Sequence, residues 1–427
     1  MQTEHHQETQ KITIVSVLIL LGFLVILLRL WQLQILQGDE LRKTSESNRL
    51  RVIKVPAPRG IIFDRNGIPL VKNTPYFCAS IIPEEFDISS IPSLAGVLHM
   101  TEEELRLKLA NKASNPFTPV KLKEDLSFDD VGYIEARRSD FPGLIVEIEA
   151  SREYLYGGIG AHLIGYLGKL TPAQSKNPEF RDVPLNAFIG QWGVEKLFDK
   201  PLRGTAGERI IEVDAIGREL RLLKENPPVK GTDITLSLDI ALQKAAEEAF
   251  EGKAGALVAL KSDTGEILGL VSEPSFDPNR FAKGISSADW NALVTDRKVP
   301  MLNRAVQSQY PPGSTFKIIT AIAALEEGAL DTTTTVDCRG ALNYGRWRFG
   351  GWRKEGHHVV SLHRALVESC DVYFYKAGEK VGFDKVSEYA KMFGLGKETG
   401  IPFGRERKGL IPNTRWKQET KKTQWYL

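Results

Sequence analysis

Residues 310–317 read YPPGSTFK, a rigid Pro-Pro-Gly turn followed by Ser314 and, three residues later, Lys317. The run IITAIAALEEGAL (318–330) comes next and predicts a buried helix that begins at about Ser314. Residues three apart share one face of a helix, so the two side chains should stand together at its first turn. A serine there is ordinarily an N-cap. The alternative is a nucleophile whose proton passes to the neighbouring lysine.

The overall composition is that of an ordinary globular protein. The 427 residues allow two or three domains, and 56 basic against 54 acidic side chains leave a formal net charge of only +2. This balance, without a strongly basic stretch, argues against nucleic acid as the main partner. The three cysteines, Cys78, Cys338 and Cys370, cannot all pair with one another, so they do not form a disulfide framework.

An apolar run lies near the start of the chain. Residues 12–28 read ITIVSVLILLGFLVILL, carry no charge, and precede Trp31, a residue type suited to a membrane interface. We predict an uncleaved transmembrane anchor over 12–31 after a cytoplasmic tail of 1–11. A cleaved signal peptide is the alternative, but no small-residue cleavage site is evident. By the positive-inside rule, the arginines after the run favour placing most of the chain in the cytoplasm. This rule weakens when a long domain follows the membrane span.

Local patterns beyond the anchor predict an α+β fold with two main regions. A proline- and glycine-bearing linker, KENPPVKGTD (224–233), separates residues 32–223 from residues 234–427. The predicted elements are a hairpin with an Asn-Gly turn in 55–71, helices in 101–113 and 238–252, two strands around an Asp-Thr-Gly turn in 255–272, and helices around 361–379 and 384–393.

A second polar constellation follows Ser314. The stretch ESCDVYFY places Ser369, Cys370 and Asp371 at the start of an apolar helix. Ser-x-x-Lys occurs once in the chain, at Ser314 and Lys317, whereas Ser-x-Asp is a weak pattern by itself. The same spacing recurs at Ser127, Ser237, Ser275 and Ser287. Order and distance after the first motif favour Ser369.

These two motifs in this order resemble the class B penicillin-binding proteins. PRGIIFDRNGIPL (58–70) and GQWGVEKLFDKPLRGTAG (190–207) are similar to the family's two pedestal motifs, and LNRAVQSQYPPGSTFK (302–317) is similar to the segment that leads to its nucleophile. Asp371 at the third position of the second motif resembles the elongation-type branch, penicillin-binding protein 2. The division-type branch, which usually has Asn there, remains the alternative.

The resemblance implies a single transmembrane helix, an elongated pedestal (dimerisation-type) domain over 32–223 and the N-terminal part of a serine transpeptidase or β-lactamase-like domain over 234–427. It implies a peptidoglycan D,D-transpeptidase that needs no cofactor for its chemistry and is acylated by β-lactams. Ser314 would be the nucleophile and Lys317 its base. Ser369 would relay a proton and Asp371 would orient the network.

The resemblance also implies a location and partners. The substrate, stem peptides of peptidoglycan, places the bulk in the periplasm and the anchor in the inner membrane. The expected partners are a membrane glycosyltransferase of the SEDS family and periplasmic proteins of the elongation complex, with no nucleic acid.

One departure from the family pattern concerns the third motif. No Lys-Thr-Gly occurs in the 427 residues: Lys397-Glu398-Thr399-Gly400 has an insertion, and Lys421-Lys422-Thr423 is followed by glutamine. We therefore expect the chain to be C-terminally truncated before this motif and its catalytic machinery to be incomplete, because loss of one oxyanion donor costs a factor of about 10² to 10³ in rate.

Three residues of the last region raise the question of a metal. Cys338, His357 and Cys370 form a plausible zinc set, with Asp337 or a water as fourth ligand. Elongation-type relatives often carry four ligands here, and the remaining position corresponds to Gly351. The alternative is two buried free cysteines and a surface histidine.

Two other classes of protein compete with the transpeptidase. A β-lactamase or β-lactam sensor would use the same serine, but a hydrolase has no use for a long pedestal. A non-catalytic membrane-anchored scaffold would use only the pedestal.

Overall fold

A computed structural model describes residues 19–37, 50–112, 119–181, 183–184, 187–214, 219–282, 284–403 and 405–423. Its first element is an apolar helix, Ile19–Leu36, none of whose residues is buried against the rest of the protein. Eighteen helical residues span about 27 Å, close to the thickness of a bilayer's hydrocarbon core. By length and composition this helix can cross a membrane. The predicted tail, 1–11, and residues 12–18 of the predicted anchor lie outside the described residues.

The described part of the pedestal contains two sheets of three or more strands. The first is antiparallel, with strands Leu50–Val55, Gly207–Val213 and Glu219–Asn226 in that order. The second has five strands, Ile62–Phe63, Pro69–Ile81, Val120–Leu126, Leu144–Tyr154 and Ile234–Thr235. Its apolar face is covered by three helices, Ile91–Val97, Glu102–Lys112 and Phe128–Ala136. The predicted linker, 224–233, begins in the last strand of the first sheet, Glu219–Asn226, and ends just before the last strand of the second, Ile234–Thr235. Both strands pair with earlier strands of the pedestal, so the chain on each side of the linker is held against it.

The hairpin predicted within 55–71 is confirmed. Ile62–Phe63 and Pro69–Ile81 are antiparallel. Asp64 shapes the turn, because its Oδ1 accepts backbone hydrogen bonds from Asn66 and Ile68, both at 2.8 Å. Gly67 has a φ of +79°, the left-handed conformation that glycine adopts without strain.

A buried charge cluster joins separate segments of the pedestal. Glu195, which is completely buried, accepts hydrogen bonds from Nε of Arg59 at 2.8 Å and Nε of Arg152 at 2.7 Å. Asp199 lies 2.9 Å from Arg59 and 3.2 Å from Arg203. Burial opposes the charge on Arg59, but Glu195 and Asp199 outweigh it and raise the pKa of the guanidinium. The cluster thus links the first predicted pedestal motif to the second.

The region after residue 238 begins as predicted, with helix Ile240–Glu248 and the antiparallel strands Gly255–Leu260 and Ile267–Glu273. Two further strand pairs follow, Thr335–Cys338 with His358–Ser361, and Ala341–Tyr344 with Trp347–Gly350. Strands Leu167–Lys169 and Phe188–Gly190 form a separate antiparallel pair. Further short α-helices are Ala161–Ile164, Gly193–Leu197, Asp199–Arg203, Asn279–Ala282, Ser287–Thr295, Arg304–Gln307 and Thr414–Lys421.

Two helices carry the predicted catalytic residues. The serine helix is Lys317–Glu326, and the motif helix is Asp371–Val381; they pack together with helix Phe383–Met392. Small buried residues of the serine helix, Ala321 and Ala324, share one core with the motif helix.

The prediction of one helix over 361–379 is wrong, whereas the prediction that Ser369, Cys370 and Asp371 stand at the start of an apolar helix is confirmed. The structure has two helices, Leu362–Val367 and the motif helix, separated by Glu368, Ser369 and Cys370. Ser369 has a φ of +53°, which is strained for a non-glycine residue and ends the first helix. This break presents the Ser369 side chain to the serine helix.

Candidate active site

Ser314 lies in a tight 3-10 turn, Gly313–Phe316, that leads directly into the serine helix. The predicted helix start is therefore a 3-10 turn at Ser314 and α-helix from Lys317 onward. The first backbone N–H groups of such a turn have no acceptor within the helix. They point outward at the N-terminal end of the helix, where the helix dipole stabilises a negative charge. Ser314 is exposed to solvent and can be reached by a substrate.

Lys317 is nearly buried, with 13% of its side chain exposed, and makes three contacts through Nζ. It donates to Ser369 O at 2.8 Å, to Ser369 Oγ at 2.9 Å and to Asp371 Oδ1 at 2.6 Å. Ser369 Oγ in turn donates to Ser314 Oγ at 3.0 Å. The four predicted catalytic side chains therefore form one connected group, in which Ser369 lies between the serine and the lysine.

Asp371 is the first residue of the motif helix, where a negative charge is favoured by the helix dipole. One carboxylate oxygen binds Lys317, and the other accepts a hydrogen bond from the backbone N–H of Trp352 at 3.0 Å. Sequence reasoning missed Trp352, because a backbone donor from a loop leaves no residue-type signal. Its indole Nε1 also donates to Glu368 O at 3.2 Å, so this loop braces the second motif.

The three predicted metal ligands also come together. The ligand atoms of Cys338, His357 and Cys370 lie within 4.8 Å of one another, and all three residues are buried. The Cys338 Sγ to His357 Nδ1 distance is 3.6 Å. Burial, and to a smaller extent the neighbouring Cys338, raises the pKa of the Cys370 thiol to about 11. The histidine is buried, against the alternative that placed it on the surface.

The suggestion of Asp337 as a fourth ligand is wrong. Asp337 precedes Cys338 in a strand, so their side chains point to opposite faces, and its carboxylate binds Arg339 Nε at 2.8 Å. Among the described residues, the carboxylate of Glu368 lies near the histidine, with its Oε2 4.0 Å from His357 Nε2. Hydrogen bonding to Arg364 lowers the pKa of Glu368 below its usual value. Sequence reasoning did not select Glu368.

Comparisons with known proteins give the family of a chain with this architecture and a Ser-x-x-Lys group. Residues 54–236 match the penicillin-binding protein dimerisation domain, and residues 255–424 match the penicillin-binding protein transpeptidase domain. The peptidoglycan D,D-transpeptidase MrdA of Acinetobacter baumannii is 36% identical over 413 residues, which are 96% of this chain and 62% of the relative. The MrdA of Escherichia coli K12 is 35% identical over 97% of this chain and 67% of the relative.

Solved structures agree with this assignment. The complex of penicillin-binding protein PBP2 with MreC from Helicobacter pylori matches with a TM-score of 0.77 and 28% identity, over 88% of this chain and 71% of that one. The chain belongs to the class B penicillin-binding proteins, and the MrdA and PBP2 relatives named above are of the elongation type. It spans 62% to 67% of the length of the MrdA relatives named above.

Proposed function

We propose that this chain carries the nucleophile and proton relay of a peptidoglycan D,D-transpeptidase of cell-wall elongation. The observation that carries the proposal is the hydrogen-bonded series from Ser314 Oγ through Ser369 Oγ to Lys317 Nζ. A serine alone is a weak nucleophile and needs a base that takes its proton as it attacks. The series supplies that route when Lys317 is a neutral amine and both hydroxyl protons point toward it, the reverse of the donor directions in the structure. Asp371 holds the lysine in place at 2.6 Å.

The reaction proceeds in two acyl transfers. Ser314 Oγ attacks the carbonyl carbon of the penultimate D-alanine, while its proton moves to Ser369 and the proton of Ser369 moves to the Lys317 amine. The C–N bond to the terminal D-alanine breaks, and the leaving nitrogen receives a proton back along the same route. An amine of a second stem peptide then attacks the ester and gives up a proton to the relay, the C–O bond to Ser314 breaks, and the Ser314 oxygen takes a proton from Ser369. This forms the cross-link and regenerates Ser314.

Labelling with a fluorescent penicillin tests this proposal on the full chain in detergent. We expect labelling at Ser314, identified by mass spectrometry. Ser314→Ala should abolish the label, and Ser139→Ala, which changes an exposed serine of the pedestal, should not alter it. A label that survives Ser314→Ala, or a wild-type chain that is never labelled, would overturn the proposal.

We also propose a cellular location and protein partners for this chain. The apolar helix Ile19–Leu36 supports a single-pass anchor in the inner membrane, and a peptidoglycan substrate requires a periplasmic bulk. The Helicobacter pylori structure, a complex between PBP2 and MreC, supports a MreC-like periplasmic partner for this pedestal, with a SEDS-type glycosyltransferase in the membrane. Alkaline phosphatase fused after residue 423 should be active, and activity from a cytoplasmic reporter alone would contradict both location and substrate.

A structural zinc ion is the second proposal for this region. In a tetrahedron with Zn–S of about 2.3 Å and Zn–N of about 2.0–2.1 Å, the sulfur and nitrogen are about 3.6 Å apart, and Cys338 Sγ and His357 Nδ1 are separated by 3.6 Å. His357 Nε2 is buried without a hydrogen-bond partner among the described residues and faces Glu368. This suits a histidine that binds metal through Nδ1 and directs its other N–H toward a carboxylate.

The ion would tie three segments together beside the catalytic motif, because Cys370 lies between Ser369 and Asp371. Zinc content after dialysis and the sulfur-to-cobalt absorption of the cobalt-substituted protein test the site. We expect about one ion per chain, loss in Cys338→Ser, and a 10- to 100-fold weaker affinity in Glu368→Gln. Cys78→Ser, at a buried cysteine of the pedestal, should retain the metal. A wild-type chain that holds no zinc would contradict the site.

A further inference from the structure

The loop that braces the second motif also forms an exposed surface. We call residues 341–354, which end in NYGRWRFGGWRK, the basic aromatic hairpin; its two strands are Ala341–Tyr344 and Trp347–Gly350. They pair only with each other among the described residues. The proton relay does not use the side chains of this hairpin.

One face of the hairpin carries a row of aromatic rings. Leu342 pairs with Phe349 and Tyr344 pairs with Trp347, so all four side chains lie on the same face. Phe349 packs edge-on against Tyr375 of the motif helix, with ring centroids 6.1 Å apart. Tyr344 and Trp347 lie further out and keep 42% and 46% of their surfaces exposed. The row therefore leads from the motif helix into solvent.

The hairpin is also strongly cationic. Arg346, Arg348, Arg353 and Lys354 fall within nine residues, and the first acidic residue after them is Glu355. All four cations are exposed, and in the described part of the chain no carboxylate lies within 4 Å of their side-chain nitrogens. Arg346 lies over the ring of Trp347 at 5.2 Å. Guanidinium groups with no carboxylate within 4 Å are available for bidentate binding of carboxylates from a ligand.

The base of the hairpin is fastened to the catalytic group. Trp352 N–H donates to Asp371 Oδ2 at 3.0 Å, and Tyr375 Oη donates to Gly350 O at 3.3 Å. Tyr375 lies one helical turn after Asp371, on the same side of the motif helix. One extended ligand could therefore lie on the aromatic row and reach Ser314 at the same time.

We propose that the basic aromatic hairpin is a docking surface for the polymeric substrate of this site, a carboxylate-bearing glycan–peptide strand. The arginines bind its carboxylates, and Tyr344 and Trp347 pack against the apolar faces of its sugar rings or peptide. Charge complementarity decides the occupant, because four exposed cations with no carboxylate within 4 Å among the described residues, beside exposed rings, suit an acidic polymer that also offers flat apolar faces. The inference rests on the proposed function for the identity of the polymer.

Co-sedimentation of the full chain in detergent with insoluble peptidoglycan sacculi tests the docking surface. We expect Arg346→Gln with Arg348→Gln to weaken binding about tenfold, and Trp347→Ala to weaken it several-fold. Arg106→Gln with Arg138→Gln removes two exposed cations from the pedestal and should leave binding unchanged. Sacculi whose carboxylates have been converted to amides should bind weakly.

Penicillin labelling at Ser314 separates this inference from the proposed function. The hairpin variants should label at the wild-type rate, since they lie outside the proton relay, and unlabelled wild-type protein would count against the proposed function alone. Sacculus binding that is unaffected by the hairpin variants, or equal on amidated sacculi, would overturn the docking surface. Equal, hairpin-dependent binding to anionic lipid vesicles would reassign it to a membrane.

Discussion

The Oγ atoms of Ser314 and Ser369 lie 3.0 Å apart and share a hydrogen bond, although 55 positions separate the residues in the chain. Lys317 contacts Ser369 and Asp371, and among the hydrogen bonds of the described residues none joins it directly to Ser314. The hypothesis that Lys317 takes the proton of Ser314 therefore becomes more specific, because the hydrogen bonds connect the two residues through Ser369.

This relationship predicts the effect of removing one hydroxyl. Ser369→Gly deletes the bridging oxygen and suits the φ of +53° at this position better than serine does. We expect penicillin acylation of Ser314 to slow by about 10² to 10⁴, while the melting temperature stays the same or rises. Acylation at the wild-type rate would show that Ser314 transfers its proton by another route.

The buried charge cluster of the pedestal predicts a large loss of stability from a small substitution. Glu195→Gln keeps the shape of the side chain but leaves Arg59 and Arg152 without their shared buried carboxylate. Breaking a buried pair in this way costs about 3–5 kcal/mol, which thermal unfolding of the purified chain should reveal. The control is Glu219→Gln. Glu219 pairs with Arg209 at the surface, where the two side chains are 46% and 39% exposed, so this change should have little effect on stability. Equal effects would mean that the buried cluster contributes no special stability.

His162 predicts an acid-sensitive fold. It is 2% exposed and packs edge-on against Phe276. Burial lowers its pKa to about 4, although the backbone carbonyl groups of Pro274 and Pro300 oppose the shift. The unfolded chain binds a proton at an ordinary pKa of about 6.5, so stability should fall as the pH drops from about 6.5 to 4.

The expected loss from this residue approaches about 3 kcal/mol at the acid end of that window. Thermal unfolding at several pH values, compared with His162→Phe, measures it. The variant should lose part of the slope between pH 6.5 and 4 whatever its stability at pH 7. An unchanged slope would assign the acid sensitivity to other groups.

The strand Gly255–Leu260 predicts self-association. It pairs only with Ile267–Glu273 among the described residues, and Val258 and Leu260 are 46% and 59% exposed. Exposed apolar edge strands recruit further strands. Val258→Lys with Leu260→Lys should therefore reduce the aggregated fraction seen by light scattering. Lys244→Gln, on a neighbouring exposed helix surface, should not reduce it. A wild-type chain that stays monomeric at high concentration would contradict the prediction.

Much of the architecture followed from short-range patterns. An uncharged apolar run predicts a helix able to span a bilayer, because lipid requires backbone groups to be satisfied within the segment. Asn-Gly between apolar runs predicts the hairpin at Asp64–Ile68, and the Ser-x-x-Lys spacing places Ser314 and Lys317 at one end of a helix. These rules act between residues a few positions apart, so the chain specifies them before it is packed.

The assembly of the catalytic and metal-binding side chains depends on tertiary packing, which such local rules do not predict. Only the contact between the serine helix and the motif helix brings Lys317 to Ser369. Helical periodicity runs through residues 361–379, and the break at Ser369 appears because tertiary contacts sustain a strained φ that local propensity disfavours. Cys338, His357 and Cys370 come within 4.8 Å through strand pairing and core packing, and the same strand directs Asp337 to the opposite face. The sequence by itself determined which residue types were present for the chemistry, and the tertiary structure decided which of them meet, because a hydrogen bond between distant residues exists only where packed elements hold both partners in place.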